Sequence, residues 1–298
     1  MEKIKAAVIG YGNIGRAVLE ALSVSEDFVV TGVVRRNPSI PCPGLEKYRV
    51  AGDISELPGT QVAILAVPSR ICEKTASELL AMGICTADSY DIHSGIPGTR
   101  SRLDAIARKS GASAVISAGW DPGSDSVIRT LMQAMAPKGV TYTNFGPGMS
   151  MGHTVAVKAV EGVKNALSVT VPAGTGIHRR MVYVELEDGY GLSEVSDAIR
   201  KDPYFINDET HVLQVGSVDE LKDTGHGVNL VRKGVSGLTH NQLMEFNMKI
   251  NNPALTGQIL VSAARAAVRQ APGCYTMIEI PVVDFLPGNR EDWIGRLV

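Results

Sequence analysis

The sequence has little of several features that mark specialised proteins. Aromatic residues make up only 5% of its 298 residues, and cysteine occurs four times. Neither charge predominates, since 29 Lys and Arg against 31 Asp and Glu give a formal net charge of −2. A nucleic-acid binder would need a basic face to displace counterions from phosphates. The apolar segments, such as Val62–Pro68, are far shorter than the ~18–20 residues of a membrane span. We therefore expect neither a nucleic-acid nor a membrane partner.

The few cysteines form no CxxC motif and no metal-ligand spacing; they are Cys42, Cys72, Cys85 and Cys274. A chain of this length can bury a sizeable core and needs no disulfide bonds for stability. No cluster of His, Cys and Asp has the spacing of a metal site. The N-terminal segment enters a strand pattern at once and lacks the apolar core of a signal peptide. These features predict reduced thiols, no metal and a cytoplasmic location.

Glycine, by contrast, is abundant, with 31 residues, and its most informative cluster is a GxGxxG motif at Gly10–Gly15. A predicted strand precedes the motif, a helical pattern follows it, and a second buried strand is predicted at Phe28–Val34. The motif alone arises by chance, but in this setting it indicates dinucleotide binding, with phosphates at the helix N-terminus. The predicted cofactor-binding residues of this loop are Gly10, Tyr11, Gly12, Asn13, Ile14 and Gly15.

The residues at the end of the second strand discriminate between the two nicotinamide cofactors. NAD-binding versions of the motif carry an acid there, which holds the ribose 2′-hydroxyl. This sequence has Arg35 and Arg36 instead. Two guanidinium groups can hold a 2′-phosphate by charge-assisted hydrogen bonds, which favours NADP(H). The alternative is an ordinary solvated basic pair on a loop.

Strands and helices continue to alternate as far as the segment Ala112–Ala118, which indicates an open, doubly wound parallel sheet. Ligands of such sheets lie beyond the carboxyl ends of the strands. Two strands that precede this segment end in loops at Val67 and Ser89, which are expected to face the cofactor. The additional cofactor-binding residues predicted from these loops are Val67, Pro68, Ser69, Ser89 and Tyr90.

Two acids, Asp91 and Asp121, each follow a predicted strand at that same edge. Two carboxylates facing a nicotinamide suit a substrate with an ammonium group, and one of them can move its proton. Each acid also has a structural alternative. Asp121 stands in an Asp-Pro-Gly turn sequence, and Asp91 could cap the segment that follows it.

From Thr141 onward the βαβ pattern gives way to strands with turns, some of which alternate as in a half-exposed antiparallel sheet. A helix is predicted at Ser150–Lys164, and another at Pro253–Gln270 is expected to return to the first domain. The predicted fold class is therefore α/β, a Rossmann-type doubly wound parallel sheet with an inserted α+β domain. The predicted boundaries are 1–120 with 253–298 for the NADP-binding domain and 121–252 for the insertion, with cofactor and substrate in the cleft between them.

With these pieces assembled, the chain resembles the NADP-dependent meso-diaminopimelate D-dehydrogenases from end to end. The resemblance is carried by GYGNIG with RRN, DSYDIH at Asp88–His93, AGWDPG at Ala118–Gly123, NFGPGMSMGH at Asn144–His153, VTVPAG at Val169–Gly174, IHRR at Ile177–Arg180, DTGHG at Asp223–Gly227 and NNPALTG at Asn251–Gly257. Two of these motifs, AGWDPG and GPGMSMGH, are far more specific than the glycine fingerprint, which many dehydrogenases share.

The resemblance implies reversible oxidation of the D-centre of meso-2,6-diaminopimelate, a step of lysine biosynthesis. The imine formed hydrolyses to L-2-amino-6-oxopimelate and ammonia. The resemblance further implies a homodimer formed through the second domain. The residues implied near the D-centre are Asp91, Trp120, Asp121, Phe145, Met151 and Gly152, and those implied at the distal L-centre are Thr170, Arg180, His226 and Asn252.

The residue types agree with this division. Arg180 provides a planar fork for a carboxylate, while Thr170, His226 and Asn252 can add hydrogen bonds. His226 lies between glycines, where a role in core packing is not expected. For His153 substrate binding and a hydrogen bond within its loop both stay open, and Trp120 has an ordinary core position as its alternative.

Two further functions stay open at this stage. The segment between Pro172 and Arg180 is shorter than in longer family members, and Met151 replaces a polar residue of some relatives. A more open entrance would allow a broader D-amino acid dehydrogenase, or another NADP-dependent amine or semialdehyde oxidoreductase on the same fold. A non-catalytic NADP sensor is the third possibility, but a sensor has no need of paired acids and a separate carboxylate clamp.

Overall fold

The computed structural model describes residues 2–221 and 226–298, and strands and helices alternate through its first third. The strands, in chain order, are β1 (Ile4–Ile9), β2 (Phe28–Val34), β3 (Val50–Ala51), β4 (Val62–Leu65), β5 (Cys85–Asp88), β6 (Ser113–Val115), β7 (Lys138–Phe145), β8 (Gly148–Met149), β9 (Val163–Gly174), β10 (Ile177–Leu186), β11 (Glu209–Gln214), β12 (His226–Ser236), β13 (Thr239–Ile250) and β14 (Gly273–Tyr275). The α-helices are α1 (Asn13–Ser23), α2 (Ser69–Ala81), α3 (Ile96–Ser110), α4 (Ser124–Met135), α5 (Met151–Lys158), α6 (Leu192–Lys201), α7 (Asn252–Ala267) and α8 (Arg290–Leu297).

The chain divides into two compact units. The first extends to Thr130 and resumes at Pro253–Val298, and the second is Leu131–Asn252. The sequence pattern predicted the first boundary at residue 120, ten residues earlier. The first unit continues beyond that point because Val127 of α4 packs against its hydrophobic core.

The first unit is built on a seven-stranded parallel sheet, with the strand order β14-β6-β5-β4-β1-β2-β3. The chain starts in the middle, builds outward to β3, and then crosses to β4 on the other side of β1. The order 3-2-1-4-5-6 is that of the doubly wound dinucleotide-binding sheet, and the reversal between β1 and β4 is its ligand-binding switch point. The predicted Rossmann-type fold class is confirmed.

Both faces of this sheet are covered, which explains why its strands are apolar throughout. On β1, Ala6 and Val8 face a cluster that includes Val18 of α1 and Leu260 of α7. The alternate residues of β1 face a second cluster, which includes Leu80 of α2 and Leu103 of α3. The predicted return of the last long helix is therefore observed within this unit.

The second unit contains two smaller sheets, ordered β11-β10-β9-β8 and β13-β12-β7. The pairs β9–β10, β12–β13 and β7–β12 are antiparallel, as the alternating pattern predicted, whereas β10 and β11 are parallel.

The helix predicted at Ser150–Lys164 is too long by its last six residues. The helix α5 ends at Lys158, and the chain is already in strand β9 at Val163. Gly162 adopts φ +83°, a left-handed conformation, and a Cβ there would collide with the ring of Tyr190. This turn follows the end of the helix and lets the residues after it pair with β10.

Several elements were not predicted, among them α4, α8, the short strands β3, β8 and β14, and the first part of β7. The helix α4 carries an Asp–Arg pair at i, i+4 spacing, Asp125 and Arg129, which is a recognisable helix signal. Among the helices of residues 2–221 and 226–298, none combines the length and apolar character that a membrane span requires.

Candidate active site

The glycine motif forms the connection between β1 and α1 beside the switch point of the sheet. Gly10 adopts φ +97°, and a Cβ there would collide with the carbonyl oxygen of Ala66 after β4. A Cβ on Gly15 would collide with the carbonyl oxygen of Gly10, so the helix approaches the strand closely only because both residues are glycine. Gly12 has open space around its Cα, which leaves the backbone accessible. These are the three glycine roles that a dinucleotide-binding loop requires.

The first turn of α1 is available to an anion. Gly12 is the N-cap, no side chain caps the helix, and the first turn contains no acid among Asn13, Ile14 and Gly15. The first N–H groups of a helix lack intrahelical partners and carry the positive end of its dipole. The Tyr11 hydroxyl donates to the carbonyl of Pro43, and this bond fixes the loop next to the glycines. The geometry therefore fits a pyrophosphate.

Arg35 and Arg36 follow β2 at the same edge of the sheet. The Arg35 backbone N–H donates to Ala51 at 3.0 Å, which extends the pairing of β2 with β3. Its guanidinium donates to the carbonyl of Ile40 at 3.2 Å, and the Arg36 side chain is exposed. Within the described part of the chain, neither arginine forms an ion pair with a carboxylate. Two cations without a counterion are suited to a phosphate.

The loop after β4 brings Val67, Pro68 and Ser69 beside the glycine loop, and Val67 is within van der Waals reach of a Cβ built on Gly10. Ser69 begins α2, and its hydroxyl donates to Asp91 Oδ1 at 2.6 Å. The Asp91 backbone N–H donates back to Ser69 Oγ at 3.3 Å. Asp91 is exposed, and the turn that follows it starts at Ile92 without a side-chain cap. The capping alternative for Asp91 is therefore wrong.

The loops after β5 and β6 are joined by Asp88, a residue that the sequence did not single out. Its Oδ1 accepts the N–H groups of Tyr90 at 2.9 Å and Ser117 at 3.2 Å. Its own carbonyl accepts the N–H of Ala118 at 2.7 Å. Burial raises the pKa of Asp88 to about 6, although these N–H groups oppose the shift. Asp88 thus ties together the loops that carry Asp91 and Asp121.

Asp121 lies in a tight turn between β6 and α4. The Gly119 N–H donates to Pro122 O at 3.0 Å, and the Asp125 N–H donates to Trp120 O at 3.0 Å. The turn alternative for Asp121 is therefore correct for its backbone. Its carboxylate, however, accepts from Arg129 Nη2 at 2.6 Å, and the same nitrogen donates to Asp125. Trp120 is 7% exposed, as its core alternative predicted.

Asp125 is the most deeply buried member of this group, with a fully inaccessible side chain. Burial, and after it the adjacent Asp121, raise the pKa of Asp125 to about 8, while Arg129 offsets part of the shift. The group therefore consists of two carboxyl groups held by one guanidinium. Ser89 lies against the same turn, since its Cβ is 3.6 Å from a Cβ built on Gly119.

The second unit brings Thr170 of β9 and Arg180 of β10 into contact as cross-strand neighbours. Arg180 Nη1 donates to Thr170 Oγ1, and Arg180 Nε donates to Asp208 Oδ2 at 2.6 Å. The Arg180 side chain is 14% exposed. Its guanidinium is therefore fixed by a hydroxyl and a carboxylate, which orients the remaining donors.

His153 lies in the first turn of α5 with Met151 and Gly152. Its Nδ1 is 2.8 Å from Ser150 Oγ, and its Nε2 is 3.8 Å from Asp208 Oδ2. Burial, and after it the Arg180 guanidinium, lower the pKa of His153 to about 4, so the ring is neutral near pH 7. The hydrogen bond within the loop, one of the two alternatives for His153, is observed.

Phe145 and His226 lie on the other sheet of this unit. The Phe145 N–H donates to His178 Nε2 at 2.8 Å, and the two rings are 5.4 Å apart. His226 is 7% exposed, and its Nδ1 accepts the N–H of Gly227 at 2.8 Å. Asn252 begins α7. Of the DTGHG motif, residues 223–225 lie outside the described residues.

The neighbouring positions Gly146 and Gly227 connect these residues to Thr170. The Gly146 N–H donates to Gly227 O at 2.8 Å, and Gly146 passes so close to the Thr170 carbonyl that a Cβ would collide with it. The structure therefore brings Phe145, Thr170 and Arg180 into one region of the second unit, with His226 adjacent through Gly227.

Four charged residues of these groups were missed by the sequence patterns, namely Asp88, Asp125, Arg129 and Asp208. Asp125 and Arg129 had a detectable signal, because they stand four residues apart on one helix. Asp88 and Asp208 had none, since each acts through tertiary contacts. Within residues 2–221 and 226–298, no group of three or more His, Cys, Asp or Glu side chains is arranged to hold a metal ion.

Known proteins resemble the chain in both sequence and fold. The family model of the diaminopimelic acid dehydrogenase C-terminal domain matches residues 119–252. A meso-diaminopimelate D-dehydrogenase of Bacteroides fragilis is 65% identical over 299 residues, which cover 100% of both chains. The structure of C. glutamicum DAP dehydrogenase in complex with DAP superposes with a TM-score of 0.90 at 27% identity, covering 100% of both chains. An engineered D-amino acid dehydrogenase bound to NADP+ has a TM-score of 0.86 at 27% identity, covering 99% of this chain and 100% of that one. The chain is an oxidoreductase that belongs to the meso-diaminopimelate D-dehydrogenase family.

Proposed function

We propose that this enzyme is an NADP-dependent dehydrogenase that reversibly deaminates the D-centre of meso-2,6-diaminopimelate. In the oxidative direction a C–H bond and an N–H bond of the D-centre are broken. The hydride reduces NADP+, and a proton is released. Water then hydrolyses the imine to L-2-amino-6-oxopimelate and ammonia. The observation that carries this proposal is the 65% identity to a meso-diaminopimelate D-dehydrogenase over the full length of both chains.

The cofactor fits residues of the first unit. The uncapped N-terminus of α1 and the open Cα of Gly12 would hold the pyrophosphate. Arg35 and Arg36 would hold the 2′-phosphate, and the loops at Val67–Ser69 and Ser89–Tyr90 would flank the rest of the cofactor. When bound, NADP+ accepts a hydride at its nicotinamide ring, and the protein supplies position and electrostatics. The relative bound to NADP+ supports the same choice of cofactor.

The acids Asp91 and Asp121 would attract the reacting ammonium, and one of them would take its proton. Asp91 is exposed and its carboxylate accepts a hydrogen bond from Ser69, whereas Asp121 is held by Arg129. Trp120, Phe145, Met151 and Gly152 would complete the D-centre subsite, and His153 would add a further contact to the substrate.

Arg180 and Thr170 would bind the distal carboxylate, with His226 and Asn252 adding hydrogen bonds at the L-centre. The guanidinium is already held at Nε and Nη1, so a carboxylate can bind the remaining donors without first ordering the side chain. A substrate without this second charged end would forgo these interactions.

We also propose a homodimer formed through the second unit. The three-stranded sheet and its turn expose large apolar side chains, including Val140 at 43%, Leu238 at 93% and Leu243 at 59%. A second copy would cover such a surface. Light scattering after size-exclusion chromatography should give the mass of a dimer, and Leu243→Glu should shift it toward the monomer.

The free state of all four cysteines supports the proposed cytoplasmic location, which cell fractionation would test.

The function is tested by following NADPH formation with meso-, LL- and DD-diaminopimelate and a panel of neutral D-amino acids. We expect turnover with meso-diaminopimelate, much less with NAD+ than with NADP+, and none with the LL-isomer. Faster turnover of neutral D-amino acids would favour the broader D-amino acid dehydrogenase. Failure to reduce NADP+ with every member of the panel would overturn the proposal.

A further inference from the structure

Asp121 is held by a guanidinium from the helix that follows it. The turn Gly119–Gly123 is closed by two backbone hydrogen bonds, one from Gly119 N–H to Pro122 O and one from Ser124 N–H to Gly119 O. Only glycine fits at Gly123, because its φ is +147° and a Cβ would collide with the Gly119 carbonyl. The tight turn directs the Asp121 carboxylate toward α4, where Arg129 donates to it at 2.6 Å.

Arg129 is in turn anchored by a buried acid. Asp125, one helical turn earlier, is fully inaccessible and accepts from the same Nη2 that binds Asp121. Arg129 Nε is buried without a hydrogen-bond partner among the described residues. A buried arginine donor without a partner is unfavourable. The two carboxylates therefore hold the Arg129 side chain in a rotamer that leaves one of its own donors unsatisfied.

The charges of this group add to the geometry. The charged side chains that act on Asp125 are Asp121 and Arg129. Two adjacent carboxyl groups repel each other when both are ionised, and a cation between them relieves that repulsion. A proton retained by Asp125 would leave Asp121 as the carboxylate that Arg129 neutralises.

We propose that Arg129 is a positioning residue for the deamination reaction, which holds the Asp121 carboxylate toward the substrate amine and is itself anchored by Asp125. The inference rests on the proposed function, because it assigns Asp121 to the reacting centre. Arg129 fixes one oxygen of Asp121, which leaves the other for the ammonium. Its positive charge keeps the pair of acids from retaining a second proton, so that Asp121 can attract or deprotonate the amine.

The test measures kcat, KM and the pH profile of kcat/KM from about pH 6 to about pH 10 for the full-length enzyme with meso-diaminopimelate and NADP+. Arg129→Met should lower kcat at least tenfold and move the acidic limb upward by about one pH unit or more, because the two acids lose their cation. Arg129→Lys should recover part of both changes. Asp125→Asn should move the acidic limb in the opposite direction, since Arg129 keeps an acceptor and the second carboxyl group is removed.

Arg108→Met is the matched control. Arg108 pairs with Asp104 at the same i, i+4 spacing in the same unit, but its side chain is 62% exposed. This variant should keep the wild-type profile. The inference is overturned if Arg129→Met leaves the acidic limb in place, or if Arg129→Lys is no better than Arg129→Met. If Arg129→Met does not fold, Asp125→Asn serves as the test. An acidic limb that stays in place in Asp125→Asn would by itself overturn the inference. Wild-type enzyme without activity on meso-diaminopimelate would instead overturn the proposed function, and the inference with it.

Discussion

The two units each contain an arginine paired with an aspartate, and the roles of the partners are reversed. In the first unit the acid, Asp121, is the proposed functional group, and Arg129 holds it. In the second unit the cation, Arg180, is the proposed functional group, and Asp208 holds it. In both pairs a counterion fixes the direction of the partly buried side chain that is proposed to act on the substrate.

The two pairs are buried to a similar degree, but they differ in the third group that each of them contains. Asp121 is 12% exposed and is supported by a second, inaccessible acid, Asp125. In the second pair Arg180 is 14% and Asp208 26% exposed, against 30% for Arg129, and neutral Thr170 rather than a second acid provides the additional contact. Removing one partner of a buried pair leaves a charge without compensation, which costs more than the pair itself contributes. We therefore expect larger losses from disturbing the pair in the first unit.

The largest effect is expected from Asp121→Asn. The amide oxygen can still accept from Arg129, but the side chain can neither neutralise the ammonium nor accept its proton. We expect kcat to fall by roughly 10²–10⁴-fold, with a smaller change in KM. Steady-state kinetics with meso-diaminopimelate measure both parameters.

The control for this variant is Asp104→Asn, which alters an acid paired with Arg108 in the same unit. It should leave kcat unchanged. Asp91→Asn in parallel decides which acid moves the proton, since Asp91 has a serine hydroxyl rather than a guanidinium as its partner. Unchanged kcat in Asp121→Asn would remove this residue from the chemistry.

A smaller effect is expected at Arg35 and Arg36, which differ from Arg129 and Arg180 in having no carboxylate partner within the described residues. Their charges are free for a phosphate. Replacing both with alanine should weaken NADPH binding by roughly 1.5–3 kcal/mol for each charged hydrogen bond lost, while NADH binding changes little. Fluorescence titration with the two cofactors measures the difference, and equal weakening for both would contradict a 2′-phosphate site.

The smallest effect is expected from Asp208→Asn. Arg180 Nε keeps an oxygen acceptor but loses its counterion, so a charge-assisted hydrogen bond becomes a weaker one. We expect KM for meso-diaminopimelate to rise about fivefold, which corresponds to about 1 kcal/mol, with kcat unchanged. Glu209→Gln is the control, because Glu209 pairs with exposed Arg179 on the same two strands. A lower KM in Asp208→Asn would mean that Asp208 competes with the substrate carboxylate.

Much of the first unit could be predicted from the sequence because its signals are local. The GxGxxG loop, the apolar parallel strands and the alternation of strand and helix each occur within short segments. The predicted Rossmann-type fold class and the return of α7 followed from this regularity. The end of α5 was misplaced because the valines of Val160–Lys164 continue an apolar pattern, whereas the helix ends at Lys158 and the left-handed Gly162 leads the chain into β9.

The site was predicted less completely, because its supporting residues act across the fold. Asp121 and Arg180 stood out from their motifs. Asp208 is 28 positions from Arg180, and it reaches the guanidinium only after β11 pairs with β10. Asp88 likewise gains its role only when β5 and β6 become neighbours and the two loops meet. Such partners follow from tertiary structure and not from spacing along the chain.

The central claim is that the two pairs have separate roles. Asp121, held by Arg129, acts at the D-centre, and Arg180, held by Asp208, binds the charged distal end of the substrate. The most direct test compares kcat/KM of Arg180→Met for meso-diaminopimelate and for a D-2-amino acid of similar length with an uncharged end, with Arg179→Met as the control. We expect about a 10- to 100-fold loss for meso-diaminopimelate for each charged hydrogen bond removed and little change for the neutral substrate. An equal loss for both substrates would contradict the division.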